Sequence, residues 1–258
     1  MSRGTGYGSG QPVFPLKDNI PTLRFPAVTV ALIAINVIAY FFWQRGGLSL
    51  GSPDSQHYFC NLVDNAVIPY EVTNPGEQVG AQGCPEPTTP TWLTLFTAMF
   101  MHGGLLHLGG NMLFLWIFGN NVEDSMGPVK FVAFYLLGGL AATALQVAID
   151  PSAQVPNVGA SGAIAGVLGG YILLFPRARV VTLIFIIFFV TLVELPALWV
   201  LGFWFVQQVL FGWFDLTSAG GDGGGVAYFA HIGGFAFGLL FIKLFADDRK
   251  RRRRTAVT

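Results

Sequence analysis

The sequence is poor in charge: Asp, Glu, Lys and Arg make up 11% of its 258 residues, where soluble domains carry roughly 25%. Such a chain cannot cover a water-facing surface. That excludes an ordinary soluble globule and, with 53% hydrophobic residues and a mean hydropathy of +0.57, makes membrane residence the first inference. Met1–Asn19 lacks the charged-then-apolar pattern and small-residue cleavage site of a signal peptide, and reads as a disordered tail rich in Gly and polar residues. No H-E-x-x-H pattern is present, and no metal or cofactor is expected. The G-x-S-x-G elbow of soluble hydrolases is also missing. Lys and Arg are absent throughout Gly46–Thr91.

A spanning helix needs about 20 mostly apolar residues. Six stretches qualify: Pro26–Trp43, Leu105–Asn121, Phe131–Ile149, Ala160–Phe175, Pro196–Trp213 and Val226–Phe245. Trp92–Met101 is apolar but too short to span. Val180–Leu195 is apolar as well; because Pro196 ends or kinks a helix there, it is expected to be partly embedded and to lead into the fifth span.

Charge placement orients these spans. Lys17 and Arg24 precede the first, and Arg177 and Arg179 follow the fourth. The basic run Arg249–Arg254 directly follows an apolar segment, so it reads as a cytoplasmic anchor and not as a nucleic-acid site. The first loop holds Asp54, Asp64, Glu71, Glu77 and Glu86, which fits the outside. Six crossings satisfy every assignment. The expected fold is an all-α bundle of six transmembrane helices. It comprises a flexible cytoplasmic N-terminal tail (1–25), a membrane domain (26–245) with an extracytoplasmic loop (46–91), and a basic cytoplasmic C-terminal tail (246–258). Both cysteines, Cys60 and Cys84, lie in that outside loop, where a pair can oxidise; a bridge is expected, with two free thiols as the alternative.

Polar groups inside a bilayer are costly, so each needs a reason. Gly159-Ala160-Ser161-Gly162-Ala163 opens the fourth span and Ala230-His231-Ile232-Gly233-Gly234 the sixth. A lone membrane serine ordinarily bonds back to its own helix or lets helices approach, and a lone histidine is ordinarily polar glue. Both spans enter from outside, however, so Ser161 and His231 share one depth. Gly162, Gly166 and Gly170, and likewise Gly234 and Gly238, repeat at four-residue spacing, and such stripes let backbones come close enough for a serine–histidine bond. A third cluster, His102…His107…Asn111, sits at the outer end of the second span. His107 and Asn111 share one helix face, and both can donate to a developing oxyanion or simply hold the bundle together. Glu194 carries no assigned role. Gln146, Gln207 and Gln208 read as bundle or groove-lining residues.

Taken together, the His102…His107…Asn111 element, the Gly159-Ala160-Ser161-Gly162 element and Ala230-His231-Ile232-Gly233-Gly234 with Gly238 resemble the rhomboid family of intramembrane serine proteases. The resemblance runs from about Pro26 to Phe245. It implies a six-helix bundle with a water-filled site open to the outside, and a serine–histidine dyad without a catalytic acid. Ser161 is then the nucleophile and His231 the base. His107, Asn111 and the Ser161 N–H form the oxyanion hole, and His102, Gly159 and Gly162 shape the site. The implied substrates are single-span membrane proteins cut near the outer face, in a bacterial plasma membrane, with both termini cytoplasmic. A catalytically inactive client-binding protein of the same family is the alternative; a proton-relay transporter would need more paired carboxylates. Two departures stand out. The first loop has no Trp-Arg pair, and Ala165 occupies a position where other members place a tyrosine against the histidine. Orientation of the imidazole must then come from elsewhere, with Tyr228, Phe229 and Phe235 as candidates to contribute.

Overall fold

The computed structural model describes residues 13–186, 189–217 and 226–247. In chain order these form strand β1 (Val13–Asp18) and helix α1 (Ala27–Ile38), which ends in a π-helical turn (Ala39–Trp43). Short helices α2 (Gln56–Asn65) and α3 (Pro69–Thr73) lie in the first loop, followed by α4 (Thr91–Thr97). Helix α5 (Leu105–Phe114) runs through a π-helical turn (Leu115–Gly119) into α6 (Asn120–Met126). Helices α7 (Pro128–Ile149) and α8 (Ser161–Leu174) come next, then strands β2 (Arg179–Ile186) and β3 (Phe189–Pro196), and helices α9 (Ala197–Thr217) and α10 (Tyr228–Phe245).

Three of these helices, α7, α9 and α10, are long and apolar enough to cross a membrane; Ala27–Trp43, Thr91–Phe100 and Ser161–Leu174 are shorter apolar runs. Glycine and proline set the breaks between helices. Gly127, at φ +89°, stops α6, and Pro128 begins α7 at a position where its missing N–H costs nothing. Ser55 opens α2 by accepting from the Tyr58 N–H at 3.4 Å.

Helix α8 is the centre of the bundle, buried along almost its whole length between α7 and α10. It can sit there because its neighbours have no side chains where the backbones meet. A Cβ on Gly234 would lie 2.0 Å from the Gly162 carbonyl oxygen, and one on Gly238 would lie 2.0 Å from that of Gly166. The glycine stripes seen in the sequence thus face each other, and dispersion between the two backbones stands in for side-chain packing.

A polar network locks the other end of the bundle. Glu123 of α6 accepts from the Val28 N–H (3.0 Å), the Thr29 N–H (2.8 Å) and the Thr29 hydroxyl (2.8 Å). It thereby caps the open N–H groups of α1 and places negative charge at the positive end of that helix. Buried Asp18 accepts from the Asn121 amide at 2.7 Å and from the Tyr171 hydroxyl at 2.6 Å.

Two expectations require correction. The segment 1–25 is not a free tail as far as residue 25. Val13–Asp18 is a strand paired antiparallel with β2, and Asn19 exchanges bonds with Arg179. Val180–Leu195 does lead into the fifth span, α9, but as paired strands. It is a β-hairpin, β2 pairing β3 antiparallel with Thr182 opposite Val193, in a sheet of order β1-β2-β3. The run is rich in Val, Ile, Phe and Thr, which favour a pleated half-buried surface over a helix. A three-stranded sheet therefore accompanies a mostly helical fold. Residues 1–12 and 248–258, including the basic run, lie outside the described residues.

Candidate active site

Ser161 is the first residue of α8. Just before it the chain turns at Gly159, whose φ of +131° lies in a region that residues with a Cβ rarely adopt. The Gly159 N–H is held by the Ala98 carbonyl at 2.9 Å, which pins the turn against the end of α4. A Cβ at 159 would lie 2.9 Å from the His107 ring and 3.3 Å from the Ser161 hydroxyl. Gly159 therefore keeps open the space between these two side chains. The first N–H groups of α8, that of Ser161 included, have no partner within the helix.

His231 lies in the first turn of α10, facing α8. Its Nε2 is 2.8 Å from the Ser161 Oγ. Its Nδ1 is 2.8 Å from Oε1 of Gln208, a buried residue of α9. The Trp204 ring, one turn earlier on α9, lies against the imidazole with centroids 5.6 Å apart and planes inclined at 38°. On the α7 side Gln146 accepts from the Ala230 N–H at 3.1 Å and steadies the start of α10.

His107 and Asn111 sit one turn apart on α5 and line the same cavity as Ser161 and His231. The His107 Nδ1 accepts from the Gly103 N–H at 3.1 Å. In the neutral ring the proton therefore sits on Nε2, the nitrogen close to Gly159 and the cavity. Asn111 spends one amide hydrogen on the His107 carbonyl at 3.1 Å and keeps a second. The main chain of His102 is braced on both sides: its N–H donates to Gln44, and its carbonyl accepts from Gln44 at 3.1 Å and from the Tyr58 hydroxyl at 2.7 Å. Burial and the neighbouring Tyr40 push the Tyr58 phenol up to about 12, so it stays a neutral donor at any physiological pH. The ring of His102 stands edge-on to that of His107, centroids 5.2 Å apart.

The shared cavity measures about 660 Å³, and Trp204 and Gln146 are among the other residues that line it. A smaller niche of about 50 Å³ opens beside Ser161, lined by small residues such as Ala98, Gly139, Ala142 and Gly162. In the loop, Cys60 and Cys84 are joined by a disulfide. Glu194 lies on β3, far exposed and 4.0 Å from Arg179. The ring that meets the imidazole is that of Trp204, and Phe235 lies behind it, 6.3 Å from Trp204 and stacked on Phe205 of α9 at 4.4 Å. The sequence alone gives Trp204 no role and Gln208 only that of a bundle or groove-lining residue. Their four-residue spacing puts them on one face of a mostly apolar helix, without saying which way that face turns.

Fold and site define a class: a polytopic helical membrane protein with a serine hydroxyl bonded to an imidazole at the head of its central helix. Comparison with known proteins is more specific. Residues 89–247 match the Rhomboid domain, and the chain belongs to the rhomboid family. It is 28% identical over 172 residues to Rhomboid protein 1, mitochondrial, of Saccharomyces cerevisiae, covering 64% of this chain and 46% of that protein. It is 30% identical over 145 residues to Rhomboid protease GluP of Bacillus subtilis, covering 56% and 24%. A third relative is the presenilin-associated rhomboid-like protein, mitochondrial, of Bos taurus, 26% identical over 213 residues, covering 82% and 46%. The chain spans less than half the length of each of these relatives.

Proposed function

We propose that this protein is an intramembrane serine endopeptidase that cuts the transmembrane segments of other membrane proteins. One observation carries the reading: the Ser161 Oγ and the His231 Nε2, seventy positions apart in sequence, are 2.8 Å apart. Family membership supports protease-type chemistry.

In this mechanism Ser161 attacks a peptide carbonyl carbon while His231 takes the hydroxyl proton on Nε2. The negative oxygen that forms accepts from the Ser161 N–H, the His107 Nε2–H and the Asn111 amide. His231 then gives its proton to the departing amine, which leaves an acyl-enzyme. Water, deprotonated by His231, attacks that ester and frees Ser161. The substrate is a single-span protein whose helix has unwound locally, because a helical peptide bond is shielded by its own hydrogen bonds.

Water must reach Ser161, and helix length supports its access. Helix α8 has 14 residues, about 21 Å at 1.5 Å per residue, against a hydrocarbon layer of about 30 Å. A helix of this length that ended at one face would begin below the other, and the cavity, lined by Ser52 of the first loop as well as by Ser161, would then be the path for water. The hydroxyl–imidazole pair weighs against an inactive client-binding protein, which has no need of either group.

The test is cleavage of model single-span substrates by the purified protein in micelles. Ser161→Ala and His231→Ala should each lose activity by at least about 10³-fold. Equal cleavage by Ser161→Ala, or no cleavage by the native protein across several substrates, would defeat the reading.

A further inference from the structure

A serine–histidine pair works only with the imidazole in one tautomer. To accept the serine proton, Nε2 must carry the lone pair, so Nδ1 must carry the hydrogen. Something has to hold it there. In this chain the position one turn after Ser161 is Ala165, a buried methyl that touches the space at Gly234 and offers the ring neither a flat face nor a polar atom.

Both functions come instead from a different helix. The Gln208 Oε1 is 2.8 Å from the Nδ1, and a carbonyl oxygen can only accept. Its partner nitrogen is therefore the protonated one, which leaves Nε2 as the acceptor facing the Ser161 hydroxyl. Trp204, one turn away on the same face of α9, covers the ring. Gln208 is 7% exposed although it belongs to a helix most of whose large apolar residues face outward. A buried amide on a lipid-exposed helix is costly unless it is paired, and the Nδ1–H of His231 is the partner it has.

Resting on the protease reading, we infer that Gln208 is a positioning residue: it sets the tautomer of His231 and, with Trp204, its orientation. The amide occupies the place that a carboxylate takes in a three-residue triad, but without charge, so it fixes the proton without an ion pair buried at membrane depth. The inference also accounts for Ala165, because orientation is supplied from α9.

The experiment compares the full-length native protein with Gln208→Met and Gln208→Glu. Methionine keeps the volume and removes the acceptor; glutamate restores an acceptor at the same reach. Gln208→Met should lower kcat about ten- to a hundredfold with KM within about twofold, and Gln208→Glu should keep most of the native kcat. A merely structural role would lower both variants together or act through KM. A second measurement does not depend on turnover. In ¹⁵N-histidine-labelled protein, with His231 assigned by difference against His231→Ala, the native ring should be neutral with its proton on Nδ1. Gln208→Met should shift that proton toward Nε2. Native-like kcat in Gln208→Met, equal losses in Met and Glu, or an Nε2-protonated native ring would each overturn the inference. Failure of the native protein to cleave would sink the protease reading instead, and the nitrogen shifts would still decide where the ring proton sits.

Discussion

A methyl group at position 159 would sit 2.9 Å from the His107 ring and 3.3 Å from the Ser161 hydroxyl, in the space that the proposed oxyanion must fill. Gly159→Ala also forces a Cβ onto a φ of +131°, a strain of order 1–3 kcal/mol. We expect this variant to fold, because the turn is at the surface of a cavity, and to cut about a hundredfold more slowly, much as loss of an oxyanion donor does. Native-like kcat in Gly159→Ala, with a normal melting profile, would contradict this geometry. At the residue scale much of the site was legible. Serine, histidine and asparagine are few inside apolar helices, so each one has to be explained, and common depth linked them. Gln208 and Trp204 were not legible as partners of His231, because nothing in the sequence states which face of α9 turns inward.

Between elements, the contact of α8 with α10 is the one on which the site depends. Ser161 begins one helix and His231 lies in the first turn of the other, so any separation of the two backbones stretches the 2.8 Å bond between them. Gly238→Ala would put a Cβ 2.0 Å from the Gly166 carbonyl oxygen. Helices packed that closely can only part, at a cost of about 1–3 kcal/mol. Thermal unfolding in micelles should show a clear drop for Gly238→Ala, with activity falling further than stability alone explains; an unchanged melt and unchanged kcat would contradict the packing. The four-residue glycine spacing made this contact readable in advance. The hairpin was not readable in the same way. A 16-residue apolar run such as 180–195 satisfies the composition of an embedded segment, and only its content of Val, Ile, Phe and Thr hints at a strand. Strand β1 was still harder to foresee, because its partner lies some 160 positions away and local pattern carries no trace of such a pairing.

For the whole molecule, the network around Asp18 and Glu123 and the site around Ser161 lie at opposite ends of the same bundle. The sequence-based orientation puts the acidic loop 46–91 outside and Arg177 inside. Single cysteines placed at exposed Glu86 and Arg177 test it. An impermeant maleimide added to intact cells should label Glu86→Cys at once and Arg177→Cys only after permeabilisation; labelling of both from one side would refute the orientation. The central claim is that the hydroxyl at the head of α8 is an activated nucleophile, and the most direct test of it is covalent capture. Purified protein should react with a fluorophosphonate probe, and mass spectrometry of the product should find the adduct on Ser161, with labelling abolished in Ser161→Ala and strongly reduced in His231→Ala. An adduct on another residue, or undiminished labelling of Ser161→Ala, would contradict the account.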